Sequence, residues 1–144
     1  MKKGVDYPGV AVVYFCHDGN GNVVFSLRGQ NCRDEKGRWD IGGGGVDLGD
    51  TLESTLRKEV AEEYGVEVLE YELLGYRDVF RKTEEGESHW IAIDFKVRIE
   101  AAKVKNGEPH KFDDVRLFHI TAFPSPIHSQ FPFFFEKYKE RLLA

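Results

Sequence analysis

The spacing of apolar and polar residues sorts this chain into strands and helices. Val10–Phe15 is apolar at successive positions and reads as a central strand, covered on both faces. Asp18-Gly19-Asn20-Gly21-Asn22 is a turn signal, and Val23–Arg28 follows as a second strand, so the two are expected to pair as a hairpin. Asn31–Arg38 is polar and reads as an exposed loop. Trp39–Ile41 is then a short strand leading into a glycine turn, Gly42–Gly45. From Leu52 the period changes. Leu52, Leu56, Val60 and Tyr64 recur at helical spacing, with Asp50 or Thr51 placed to cap the helix and Gly65 to end it. Leu73–Lys82 is a further strand and Thr83–Glu87 a polar turn. In His89–Ile99, the residues Ile91, Ile93, Phe95, Val97 and Ile99 alternate with mostly polar ones, as in a half-buried strand. Asn106–Asp114 reads as a loop and Val115–Ile120 as a strand. Phe131, Phe134, Phe135, Tyr138 and Leu142 mark a closing helix with Pro132 in its first turn. The order β-β-β-α-β-β-β-α belongs to the α+β (mixed α/β) class.

At 144 residues, with 41% hydrophobic and 31% charged residues, the chain fits one domain over 1–144 with a sizeable core. The net charge of -5 argues against a nucleic-acid polymer as partner, though not against a nucleotide met by local cations or a metal. No apolar run is long enough to span a membrane, and Asp6 and Pro8 interrupt any signal-type segment behind Lys2 and Lys3. Cys16 and Cys32 alone make neither a disulfide framework nor a metal cluster, which points to a reducing, cytoplasmic setting.

The chemistry concentrates on the helix after the glycines. A helix turns about 100° per residue, so Glu59, Glu62 and Glu63 fall within one arc. Glu63 projects between Leu52 and Leu56, at the margin of the buried stripe, where a carboxylate is costly unless paired or metal-bound. Lys58 flanks the acidic arc beside Glu62, and Arg57 points away. Such a set is either a divalent metal site suited to phosphate chemistry or a solvated acidic face with local ion pairs. The four glycines are no P-loop, because no Gly-Lys-Ser/Thr follows.

These residues resemble the box of the Nudix hydrolases: Gly, five residues, Glu, seven residues, Arg-Glu, an aliphatic, any residue, Glu-Glu, any residue, Gly, an aliphatic. Gly44, Asp50, Lys58-Glu59, Val60, Glu62-Glu63, Gly65 and Val66 take those positions. Asp50 stands where the box has Glu, and Lys58 where it has Arg. Lys keeps the charge but lacks the planar two-pronged donor. The resemblance implies a mixed β-sheet sandwiched between α-helices. It implies Mg²⁺, with Mn²⁺ as a substitute, held by Glu59, Glu62 and Glu63 with the backbone of Gly44, and Lys58 orienting the carboxylates. The implied reaction is hydrolysis of a nucleoside diphosphate linked to a group X, releasing a nucleoside monophosphate. A (deoxy)nucleoside triphosphate or modified nucleotide is the first substrate expected. ADP-ribose, a nucleotide sugar, or a catalytically weak nucleotide-binding module are the alternatives.

Gly43 and Gly44 are expected to offer backbone contacts to phosphate or metal. Arg28 stands where relatives place a phosphate-binding Arg, or is a surface residue. Trp39, Phe80 and Trp90 are candidates to stack on a base, or else core aromatics. Asp113 and Asp114 lie where relatives carry a further carboxylate, or in a solvated loop. The general base varies in the family and is left open, and dimers are frequent in it, which leaves room for a homodimer.

Overall fold

The computed structural model describes residues 1–84 and 86–144. The elements are β1 (Gly9–His17), β2 (Asn22–Arg28), β3 (Trp39–Asp40), β4 (Gly42–Gly45), α1 (Leu52–Tyr64), β5 (Glu70–Thr83), β6 (Gly86–Arg98), β7 (Phe112–His119) and α2 (Phe131–Leu143). A 3₁₀ turn at Ala101–Lys103 was not expected. The polar turn expected over Thr83–Glu87 includes Glu85, which lies outside the described residues.

All seven strands belong to one mixed sheet. β1 is central, parallel to β6, which pairs antiparallel with β5 at one edge. On the other side the expected hairpin is only partly formed. β1 and β2 are partnered at His17 and Val23 and then diverge, and β2 goes on to pair with β3 and β7. The edge of β1 that β2 leaves is taken by β4, antiparallel, with Ala11–Tyr14 against Gly42–Gly45. The glycines therefore form a strand and not the expected turn. The turn comes after them, where Asp50 N–H donates to the Asp47 carbonyl at 3.0 Å.

Side chains on β1 alternate between the two layers. Val12, Tyr14 and Cys16 join Leu56, Val60 and Tyr64 of α1 in one core, while Phe15 joins Phe131, Phe134, Tyr138 and Leu142 of α2 in the other. The sheet is thus sandwiched between the helices. α1 is capped as its sequence requires. Thr51 Oγ1 accepts from Ser54 N–H, Ser54 Oγ accepts from Thr51 N–H, and Gly65 ends the helix at φ 67°. Leu52, the first of the expected apolar stripe, is exposed, and so is Phe133 of α2. β6 is not half-buried along its middle: Ala92 and Asp94 are covered on the face opposite Phe95. No helix among the described residues is long and apolar enough to cross a membrane.

Candidate functional site

α1 lies beneath β4, and the register sets which residues meet. Gly44 faces the helix, and a β-carbon there would come within 2.4 Å of Glu59 Cδ. The bare strand makes the space that the Glu59 carboxyl occupies. One turn further, Glu63 is 1% exposed. The Tyr14 hydroxyl donates to its Oε1, and Lys111 Nζ stands 3.7 Å from its Oε2. Burial pushes Glu63 up to about 7 against the pull of Tyr14 and Lys111. Glu59 is raised too, by burial first and then by the charge of Glu62. Glu62 is exposed.

Among the described residues, no three His, Cys, Asp or Glu side chains converge into a ready metal cage. The donor set still suits a hard divalent cation. Its oxygens are carboxylate, the cradle at Gly44 is open to them, and the crowding that raises Glu59 is what a bound cation would offset. Lys58 makes no ion pair with the glutamates, although its charge acts on Glu59. Its Nζ lies 3.9 Å from both Asp47 and Asp50, so the two departures from the box face each other.

A cavity of about 460 Å³ opens on the opposite face of β4 and runs past that strand to Glu63 and Lys111. Arg77, Val79 and Arg81 alternate along β5 into it, and Trp90, Arg28 and Asp40 also stand on its wall. Gly43 and Gly44 line it with backbone. Trp90 is packed against Gly4 of the N-terminal segment and Gly9 at the start of β1. Arg28 is on the wall but engaged, its Nε donating to the Asp34 carbonyl at 2.9 Å and its Nη2 to Asp34 Oδ1 at 3.0 Å.

Other sequence candidates fall elsewhere. Trp39 is buried against Phe118 with the Arg116 guanidinium over its ring, and does not line the cavity. Phe80 is exposed and lies against His89 with the two rings tilted, Asp114 pairs with Arg116, and Asp113 lies beside Gly29.

Sequence reasoning missed several groups. Tyr14 looked like core, and Lys111, in the loop expected over Asn106–Asp114, was given no role. Arg77 and Arg81 carried a usable signal, since with Val79 they share one strand face. Asp40 is half-buried at the cavity wall, its side chain 23% exposed. Its burial pushes it up to about 7, against the nearby charges of Arg28 and Arg77. His128 lies 3.8 Å away. Burial lowers it to about 4, and its Nδ1 accepts from Gln130 N–H at 3.0 Å, so the neutral ring carries its proton on Nε2, toward Asp40.

Arg28, Arg77, Arg81 and Lys111 make the cavity suited to an anionic ligand, one long enough to reach past β4 to the carboxylates of α1. Known proteins share the sequence profile and the fold of this chain. The NUDIX domain profile matches residues 7–137. A MutT NUDIX hydrolase from Burkholderia pseudomallei superposes with a TM-score of 0.79 at 22% identity, over 91% of this chain and 98% of that one. A MutT protein from Methanosarcina mazei Go1 gives 0.76 at 22% identity, over 94% and 96%. The NUDIX domain of Shewanella oneidensis NrtR, solved with ADP ribose, gives 0.74 at 18% identity, over 94% and 89%.

Proposed function

We propose, from the premise that this chain belongs to the Nudix hydrolase family, that it is a Mg²⁺-dependent pyrophosphohydrolase. Its substrate is a nucleoside diphosphate linked to a further group, from which it releases a nucleoside monophosphate. The observation that carries this reading is the placement of Glu59 in the Gly44 cradle and of Glu63 at the end of the cavity, on one turn of α1.

Glu59, Glu62 and Glu63, with the Gly44 backbone, would hold Mg²⁺ or Mn²⁺. Bound there, the ion would neutralise phosphate charge and acidify a water. The chain's own groups do the rest. Tyr14 fixes the Glu63 carboxyl through Oε1. Lys111 adds a positive charge where the phosphate would arrive, and Lys58 holds Asp47 and Asp50 at the mouth of α1. Gly43 and Gly44 let the phosphate chain pass close to the backbone, Arg28 offers a cation to it, and Trp90 offers an aromatic wall to the base.

A (deoxy)nucleoside triphosphate or modified nucleotide is the first candidate, and ADP-ribose or a nucleotide sugar the second. The ligand is a small molecule and not a nucleic-acid polymer. The test is monophosphate release from such a panel with and without Mg²⁺, beside Glu62→Gln and Glu63→Gln. Metal-dependent release that both variants lose supports the enzyme. Tight nucleotide binding with no turnover would instead make the protein a binding module, the reading that the Lys58 and Asp50 departures favour.

A further inference from the structure

Two arginines of the cavity wall are bridged by one carboxylate of the chain itself. Arg28 ends β2 and Arg81 lies on β5, at separate parts of the sheet. Asp34 spans them: its Oδ1 is 3.0 Å from Arg28 Nη2 and its Oδ2 is 2.7 Å from Arg81 Nη1. The next residue reinforces the contact. Glu35 Oε2 is 3.2 Å from Arg81 Nη2, and its Oε1 accepts from Ser129 N–H at 2.7 Å. Glu35 also holds a left-handed backbone, φ 52°, which is unfavourable for a residue with a β-carbon and is kept in place by these contacts. The flanking Arg33, Lys36 and Arg38 are exposed. The tip of this loop, 33–36, is therefore tied across one end of the cavity by two acidic side chains, while buried Cys32 and the backbone bonds of Arg28 to Gly37 and Arg38 anchor its ends.

A carboxylate set between two guanidiniums makes the short, charge-assisted bonds that phosphate oxygens make. Both arginines stay accessible, at 17% and 21% of their side-chain surface, and Asp34 at 30%. An incoming anion that reaches this exposed surface competes with the pairs directly.

We propose that Asp34 is an internal competitor at an anion subsite formed by Arg28 and Arg81, and that the loop tip 33–36 is a strap which a phosphate or diphosphate group releases by taking those arginines. The proposal rests on the function given above only for which molecule delivers the anion. The subsite is tested with inorganic pyrophosphate alone, in chelator, so that no divalent ion takes part.

Pyrophosphate is titrated calorimetrically into the intact protein, into Asp34→Asn, and into Asp34→Asn combined with Arg81→Gln. Limited trypsin cleavage after Arg33 and Lys36 is followed alongside. Asp34→Asn is expected to bind pyrophosphate on the order of tenfold tighter, since the competing charge is gone, and Arg81→Gln to cancel that gain. Pyrophosphate is expected to speed cleavage of the native strap. Unchanged or weaker binding by Asp34→Asn, slower cleavage with pyrophosphate, or a large fall in melting temperature for that variant would each overturn the proposal. If the strap behaves as stated but no nucleotide is hydrolysed, the enzymatic reading falls and the subsite stands. Hydrolysis with unaltered pyrophosphate affinity leaves the enzyme and removes the strap.

Discussion

Asp40 and His128 face each other at 3.8 Å, and burial displaces their ionisation in opposite directions, to about 7 and about 4. A carboxyl raised in the fold contributes stability below its unfolded value and loses that contribution as pH rises toward 7. A lowered histidine contributes above its unfolded value of 6.5 and loses that contribution as pH falls toward 4. Asp40→Asn removes the first effect alone. It should stabilise the protein by on the order of 2 kcal/mol near pH 8 and by almost nothing near pH 4, read from thermal melts at both. Equal shifts at the two pH values would contradict this account of Asp40. Lys58 poses a second question at this scale. It reaches Asp47 and Asp50 at 3.9 Å, beyond hydrogen-bond distance, whereas an Arg has a planar fork to engage both. Lys58→Arg should keep or raise turnover. A loss of tenfold or more would mean that the turn before α1 is built around lysine.

At the scale of elements, β4 has the largest consequence. Its glycines show in the sequence, but they read as a turn, because glycine weakens a strand. The structure makes them a strand for a steric reason. Gly42 lies on the buried Tyr14 ring, where a β-carbon would come within 1.9 Å, and Gly44 lies on Glu59. The two should therefore respond differently to the same change. Gly44→Ala meets the end of a flexible side chain. It should displace the Glu59 carboxyl, lowering Mn²⁺ affinity and turnover by about a hundredfold with little effect on melting. Gly42→Ala meets a packed ring and should cost about 1–3 kcal/mol of stability in denaturant titration. Loss of stability at position 44 with metal affinity intact would break the link between β4 and the site. α1 is the opposite case. Its period, its Thr51 cap and its Gly65 stop are all local, so the sequence placed it well.

Across the whole molecule, one buried group ties the layers together. Asp94 of β6 accepts from Arg77 of β5 through both oxygens, at 2.8 and 2.9 Å, and from the Tyr138 hydroxyl of α2 at 2.7 Å. The alternation of β6 made Asp94 look solvent-facing, and only the arrival of β5 and α2 on that face buries it. Asp94→Ala should cost roughly 3–5 kcal/mol, because it strands a nearly buried guanidinium in the cavity wall. A change in melting temperature too small for that would show that Arg77 finds another partner.

The sequence by itself determined what depends on near neighbours. The period of α1 and its caps, the closing helix, the spacing that puts Glu59, Glu62 and Glu63 on one face, and the family those residues resemble all lie within short stretches of chain. The tertiary structure decided what depends on distant ones. Tyr14 and Lys111 reach Glu63 across separations of 49 and 48 residues, and Arg81 meets Asp34 across 47. The physical reason is that helix periodicity and capping follow from bonds a few residues apart. The cavity wall, the company each charge keeps, and the edge that β4 occupies are fixed only when the whole sheet and both helices pack at once.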